Sequence, residues 1–118
     1  MKADQVNEEV RLRLMQIIET SQQRVTQRDL AREAGISLGK VNYWITEMIR
    51  DGVVIAEWIL DAGKRSGRRY LLTAKGAEER FHLLIHLLSH KIREYEKLGK
   101  EIDHLNQLVK KYSGETPE

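Results

Sequence analysis

The sequence predicts a mostly α chain with a small β-hairpin and a long terminal helix, and three observations carry that expectation. Apolar residues recur at helical spacing in three short segments before Gly52. A β-branched and aromatic run, Val53 to Leu60, is followed by a basic, glycine-containing stretch and then Tyr70-Leu71-Leu72. From Phe81 onward an apolar seam repeats with heptad spacing. Composition agrees, since 8 Gly and 1 Pro in 118 residues supply too few turns for a β-sandwich or barrel. At this length one hydrophobic core plus an appendage is the ceiling.

The first helix covers residues 8–20, with Val10, Leu14, Ile17 and Ile18 on one stripe. Ser21-Gln22-Gln23-Arg24 is a polar connection. Thr26 and Asp29 have the spacing of a capping box, so a second helix runs from Gln27 to about Ala34. Gly35 can take the left-handed conformation that stops it, and Ser37 can cap a third helix from Leu38 to Arg50. There Val41, Trp44, Ile45 and Met48 form the packing face, leaving Gly39, Lys40, Asn42, Tyr43, Thr46 and Glu47 pointing elsewhere. A hairpin follows, with Val53 to Leu60 as one strand, Asp61 to Gly67 as a flexible positive tip and Arg68 to Leu72 as the other strand.

Thr73 caps a final helix from Ala74 to Tyr112, roughly 58 Å at 1.5 Å per residue. Its a and d positions are Phe81, Leu84, Leu88, Lys91, Tyr95, Leu98, Ile102, Leu105, Val109 and Tyr112, and the outward positions from Arg93 on are polar. The first half is expected to pack on the domain and the second half on another subunit. Leu88, Tyr95, Leu98, Ile102, Leu105, Val109 and Tyr112 then form the dimer contact. The expected organisation is a compact domain over 1–73, a dimerisation helix over 74–112 and a disordered tail over 113–118.

Several function classes are excluded on residue types alone. Without cysteine there are no disulfides, thiolate metal sites or thiol nucleophiles, which suits a reducing compartment and makes the cytoplasm the expected location. The N-terminus lacks an apolar signal core, and Leu83 to Leu88 falls far short of the ~20 residues that span a bilayer. Gly63-Lys64 lacks the glycine five residues earlier that a phosphate-binding loop needs, because Trp58 stands there. No nucleophile elbow or paired-carboxylate cleft occurs, so no enzyme and no cofactor are expected. His82, His86 and His90 recur every four residues, but two ligands from one helix leave a metal site half built, and a solvated face is expected instead.

Net charge is only +2, from 20 basic and 18 acidic residues. Its distribution is more informative: Lys64, Arg65, Arg68 and Arg69 crowd between Asp61 and Tyr70 against one acidic residue. Leu30, Ala31, Ala34, Gly35, Ile36, Val41 and Trp44 have the spacing of a helix-turn-helix, and the hairpin behind it makes the motif winged. In such a motif the first turn of the third helix enters the major groove. There Lys40 can donate to guanine O6 and N7, Asn42 can pair bidentately with adenine, and Tyr43 reaches a phosphate or a thymine methyl. Gly39 permits close backbone approach, Ser37 can bond a phosphate, and Gln27 and Arg28 are backbone-contact candidates. Lys64, Arg65, Arg68 and Arg69 match a wing that follows phosphates or enters a narrow minor groove.

Thr26 to Gly52, TQRDLAREAGISLGKVNYWITEMIRDG, together with Tyr70 to Gly76, YLLTAKG, resembles the MarR-type winged-helix transcriptional regulators. The SLGKVNY segment and the long terminal helix look like their small subgroup associated with exopolysaccharide gene clusters. The resemblance spans about residues 8–112. It implies a homodimer on a pseudo-palindromic site in double-stranded DNA, with no membrane partner. Typical members are longer, with further terminal helices that form the dimer and a phenolic-ligand crevice, and the resemblance assigns no effector here. The competing expectation is a non-catalytic coiled-coil module whose winged helix binds protein; a DNA reader needs Lys64 to Arg69, and a protein adaptor does not.

Overall fold

The computed structural model describes residues 3–21 and 25–114. Gln22, Gln23 and Arg24 of the expected polar connection and residues 115–118 of the expected tail lie outside them. The elements run α1 (Ala3–Thr20), α2 (Gln27–Ala34), α3 (Leu38–Arg50), β1 (Val54–Asp61), β2 (Lys64–Leu72) and α4 (Ala74–Ser113). The chain is mostly helical with a two-stranded antiparallel hairpin. It divides into two compact units, one ending at Leu84 and one running from Ile85.

Local chemistry sets the boundaries of the central helices. The Thr26 hydroxyl accepts from the Asp29 amide at 3.1 Å while the Asp29 carboxylate accepts from the Thr26 amide at 3.0 Å, a reciprocal capping box. The Thr26 amide, then its hydroxyl, then Arg32 hold the Asp29 carboxyl below its ordinary range. Gly35 ends α2 with φ 69° and ψ 32°, the left-handed geometry that a Cβ disfavours, and its N–H reaches the Ala31 carbonyl. Ser37 then caps α3, its hydroxyl accepting from the Lys40 amide at 3.2 Å.

These short helices hold their positions by burying one face each. The core joins Leu14, Met15 and Ile18 of α1, Leu30 of α2, Val41, Ile45 and Met48 of α3, and Val53, Val54 and Tyr70 around the hairpin. Trp44, expected in this face, is only half buried. The first helix starts at Ala3 rather than residue 8, and it also buries Leu12.

The hairpin departs from expectation at its tip. Strand pairing extends to Asp61 opposite Lys64, so the turn is Ala62-Gly63 alone and not the whole of Asp61 to Gly67. Both turn residues have positive φ, 52° and 78°, the requirement of a two-residue type I′ loop whose twist matches the strands. Between Ile59 opposite Gly67 and Leu60 opposite Arg65 the register shifts, leaving Ser66 as the extra residue of a bulge.

Thr73, Lys75 and Gly76 all converge on the chain that leaves α3. The Thr73 hydroxyl donates to the Gly52 carbonyl at 2.7 Å and accepts from the Gly76 amide at 3.0 Å, which makes it the cap of α4. Lys75 Nζ donates to the Asp51 carbonyl at 2.8 Å. Gly76 is buried so closely that a Cβ there would lie 2.1 Å from the Val53 carbonyl oxygen. Arg11 adds a clamp from α1, gripping Glu79 at 2.6 and 2.9 Å and Asp51 at 3.0 Å. The second unit is helical, and every residue from 91 to 114 is exposed. No helix among the described residues is long and apolar enough to cross a membrane.

Candidate nucleic-acid interface

The packing face of α3 decides what its other face can present. With Val41, Ile45 and Met48 buried, Leu38, Gly39, Lys40, Asn42 and Tyr43 in the first turns are exposed, and Tyr43 stacks edge-on against Trp44 at 5.2 Å. Arg28 and Ser37 are exposed as well. The Ser37 hydroxyl accepts the capping bond from the Lys40 amide, which leaves its own proton to donate.

Gln27 is half buried at the start of α2, and both ends of its amide are engaged. Asn42 Nδ2 donates to Gln27 Oε1 at 3.4 Å, and Gln27 Nε2 donates to Tyr70 Oη at 3.2 Å. Tyr70 lies on β2 with the Arg68 guanidinium 6.0 Å from its ring centre. Asn42, Gln27, Tyr70 and Arg68 therefore form one row that joins the exposed turn of α3 to the wing.

On the wing the four basic residues are not equivalent. Directly opposed residues of an antiparallel pair share a face, so Arg68 stands with Trp58 and Arg69 with Glu57 on the other side. Arg65 and Arg68 place their guanidinium groups 4.6 and 5.6 Å from the Trp58 ring centre, within cation–π range. Arg69 forms an ion pair with Glu57 at 2.7 Å. Lys64 and Arg65 sit on β2, not in a loose loop, because the tight turn brings the strand to its very tip.

Exposed Trp58 and, behind the surface, buried Tyr70 take part in this arrangement without having been singled out from the sequence. The signal for Trp58 was its position across the hairpin from Arg68, which becomes visible only once the register is fixed. In the second unit the exposed apolar residues Ile85, Leu88, Ile92, Tyr95, Leu98, Ile102, Leu105, Val109 and Tyr112 form one stripe, with Leu108 beside it. The stripe passes through Ile92 where the heptad count had put Lys91. His86 and His90 rings lie 5.1 Å apart, and His82 faces Glu78 at 3.8 Å. Among the described residues no three His, Asp or Glu side chains gather as a metal would require.

Residues 8–55 match the model of the winged helix-turn-helix DNA-binding family. No curated protein matches the chain. Among solved structures, the chain is similar to a MarR-family transcriptional regulator from Rhodococcus sp. RHA1, with a TM-score of 0.62 and 17% identity over 88% of this chain and 77% of that one. It is similar to the PcaV transcriptional regulator from Streptomyces coelicolor, with a TM-score of 0.62 and 11% identity over 90% and 79%. CouR from Rhodococcus jostii RHA1, solved bound to p-coumaroyl-CoA, gives a TM-score of 0.59 and 17% identity over 88% and 77%. These likenesses show a shared fold, the winged helix-turn-helix followed by a long helix.

Proposed function

We propose that the chain is a DNA-binding transcriptional regulator that acts as a homodimer on a pseudo-palindromic operator. The observation that carries this reading is the row from Asn42 to Arg68, which puts the exposed turn of α3 and the stacked arginines of the wing on one face. The turn of α3 enters the major groove, where Lys40 and Asn42 meet base edges and Tyr43 meets a phosphate or a thymine methyl. Gly39 admits the backbone, Arg28 and Ser37 hold phosphates, and Lys64, Arg65 and Arg68 follow the adjacent backbone or minor groove. The exposed stripe of the second unit supports the homodimer, since a lone chain leaves Leu98, Leu105 and Val109 54%, 60% and 54% exposed. The SLGKVNY segment and the long helix favour the small exopolysaccharide-associated subgroup, acting in the cytoplasm.

A gel-shift titration with DNA upstream of the chain's own gene, at two salt concentrations, tests the reading. The expected result is a complex tighter than with unrelated DNA whose affinity falls steeply with salt, as released counterions require. No complex at either salt concentration overturns the reading in favour of a protein-binding module.

A further inference from the structure

Two arginines three residues apart on a regular strand project to opposite faces of a hairpin, because successive side chains alternate. Arg65 and Arg68 do not. Arg68 stands across from Trp58, and the register shift at Ser66 puts Arg65 across from Leu60, two residues beyond Trp58 and on the same face. The bulge is pinned by the Ser66 hydroxyl, which donates to the Ile59 carbonyl at 3.3 Å. Without that extra residue the two guanidinium groups could not meet over one ring; with it they lie 4.6 and 5.6 Å from the Trp58 centre.

Trp58 is 53% exposed and has no place in the core, so burial does not account for it. The register sets no acidic residue across from either arginine that it holds. A guanidinium over an indole keeps its full charge, whereas Arg69, paired with Glu57, has its charge partly cancelled. A long side chain loses rotamer freedom when it docks on a phosphate, and one already held in place has less to lose.

We propose that Trp58 is a positioning residue that holds Arg65 and Arg68 as one preorganised cationic pair for the sugar–phosphate backbone, with the Ser66 bulge supplying the register that the pair requires. The inference rests on the reading of the wing as a DNA-contacting element. Trp58 acts through the two arginines and makes no contact of its own with DNA.

The test uses the full chain and duplex DNA from upstream of its own gene, in anisotropy titrations across salt concentrations. Trp58→Leu removes the ring and neither charge. It is expected to weaken binding about three- to tenfold, as the arginines must then be ordered on binding. The slope of log affinity against log salt stays within about half a unit, because the same phosphates are neutralised. In a chain that already carries Arg65→Ala and Arg68→Ala, Trp58→Leu is expected to change affinity by less than about twofold, since nothing is left for the ring to hold. Trp58→Phe keeps a ring under the arginines and is expected to retain most of the affinity.

Unchanged affinity in Trp58→Leu overturns the inference, and so does tighter binding, which would mean that the stack must break before DNA is met. An equal loss with and without the two arginines overturns it as well, because Trp58 would then touch DNA directly. A salt slope lowered as far as in the double-arginine variant would show that the hairpin itself is lost, a structural role only. Each of these leaves the DNA-binding reading intact, whereas absence of any complex with the unmodified protein overturns that reading and the inference with it. A measurement without DNA tests the arrangement itself, even if Trp58→Leu folds poorly. In the NMR spectrum of the unmodified protein the indole ring current should move the side-chain proton signals of Arg65 and Arg68 upfield of those of Arg69, and signals at ordinary positions overturn the inference.

Discussion

Arg68 and Arg69 are neighbours with identical side chains and opposite circumstances. The first lies over Trp58 with no acidic residue opposite it, whereas the second is matched by Glu57 on the other face of the hairpin. A guanidinium already paired with a carboxylate releases few counterions on meeting a phosphate, because its charge is partly cancelled beforehand. Arg68→Ala is accordingly expected to weaken binding to all DNA and reduce the slope of log affinity against log salt by about one unit. Arg69→Ala should leave the slope nearly unchanged. Anisotropy titrations across salt concentrations check both, and equal losses would show that the Glu57 pair opens on binding. Read as sequence, the two arginines cannot be told apart, since what separates them is which residue stands across the strand.

At the scale of elements, the short-range chemistry was legible and the long-range chemistry was not. Thr26 with Asp29, Gly35 and Ser37 act within a turn of where they stand, so α2 and α3 could be bounded from the residues alone. The wing's tip is not legible in the sequence, because Ala62 accepts a positive φ without the Asn-Gly signature that announces a tight hairpin, and Lys64 to Gly67 has little intrinsic strand preference. The engagement of Gln27 by Tyr70 spans 43 residues and no local pattern encodes it. Gly76 stands between these cases: it ends the YLLTAKG segment that carries the resemblance, but its reason is the backbone carbonyl of Val53, between α3 and β1. Because the Val53 oxygen would sit 2.1 Å from a new Cβ and cannot rotate away, Gly76→Ala must shift the start of α4. Overpacking of this kind costs about 1–3 kcal/mol. For a domain this small that is a fall of several degrees in Tm at the least, roughly 4–8 °C per kcal/mol. Calorimetry showing an unchanged Tm would mean that the close approach is not maintained in solution.

For the whole molecule the decisive feature is the stripe along the second unit. Its spacing alternates between four and three residues except from Ile92 to Leu98, where two three-residue steps follow one another. An extra step of three overwinds a coiled coil locally, so a paired helix should be most tightly twisted there. Leu105→Asp places a charge in the middle of the regular half and is expected to convert the proposed dimer to monomer by sedimentation at micromolar concentration. A variant that remained dimeric would move the interface elsewhere. The first unit should melt unchanged, since Leu105 belongs to none of its core.

The stretch of α4 from 91 to 113, exposed on every side, draws stability from pairing, because helix propensity alone leaves isolated helices marginal in water. Its far-ultraviolet circular dichroism should therefore weaken on dilution, and a signal independent of concentration would refute the coupling. For the proposed homodimer the stripe would also provide a form of dosage control that needs no second molecule. Below the dissociation constant of such a pair, the supply of operator-competent protein would follow the square of the chain's abundance, so halving expression would lower it about fourfold.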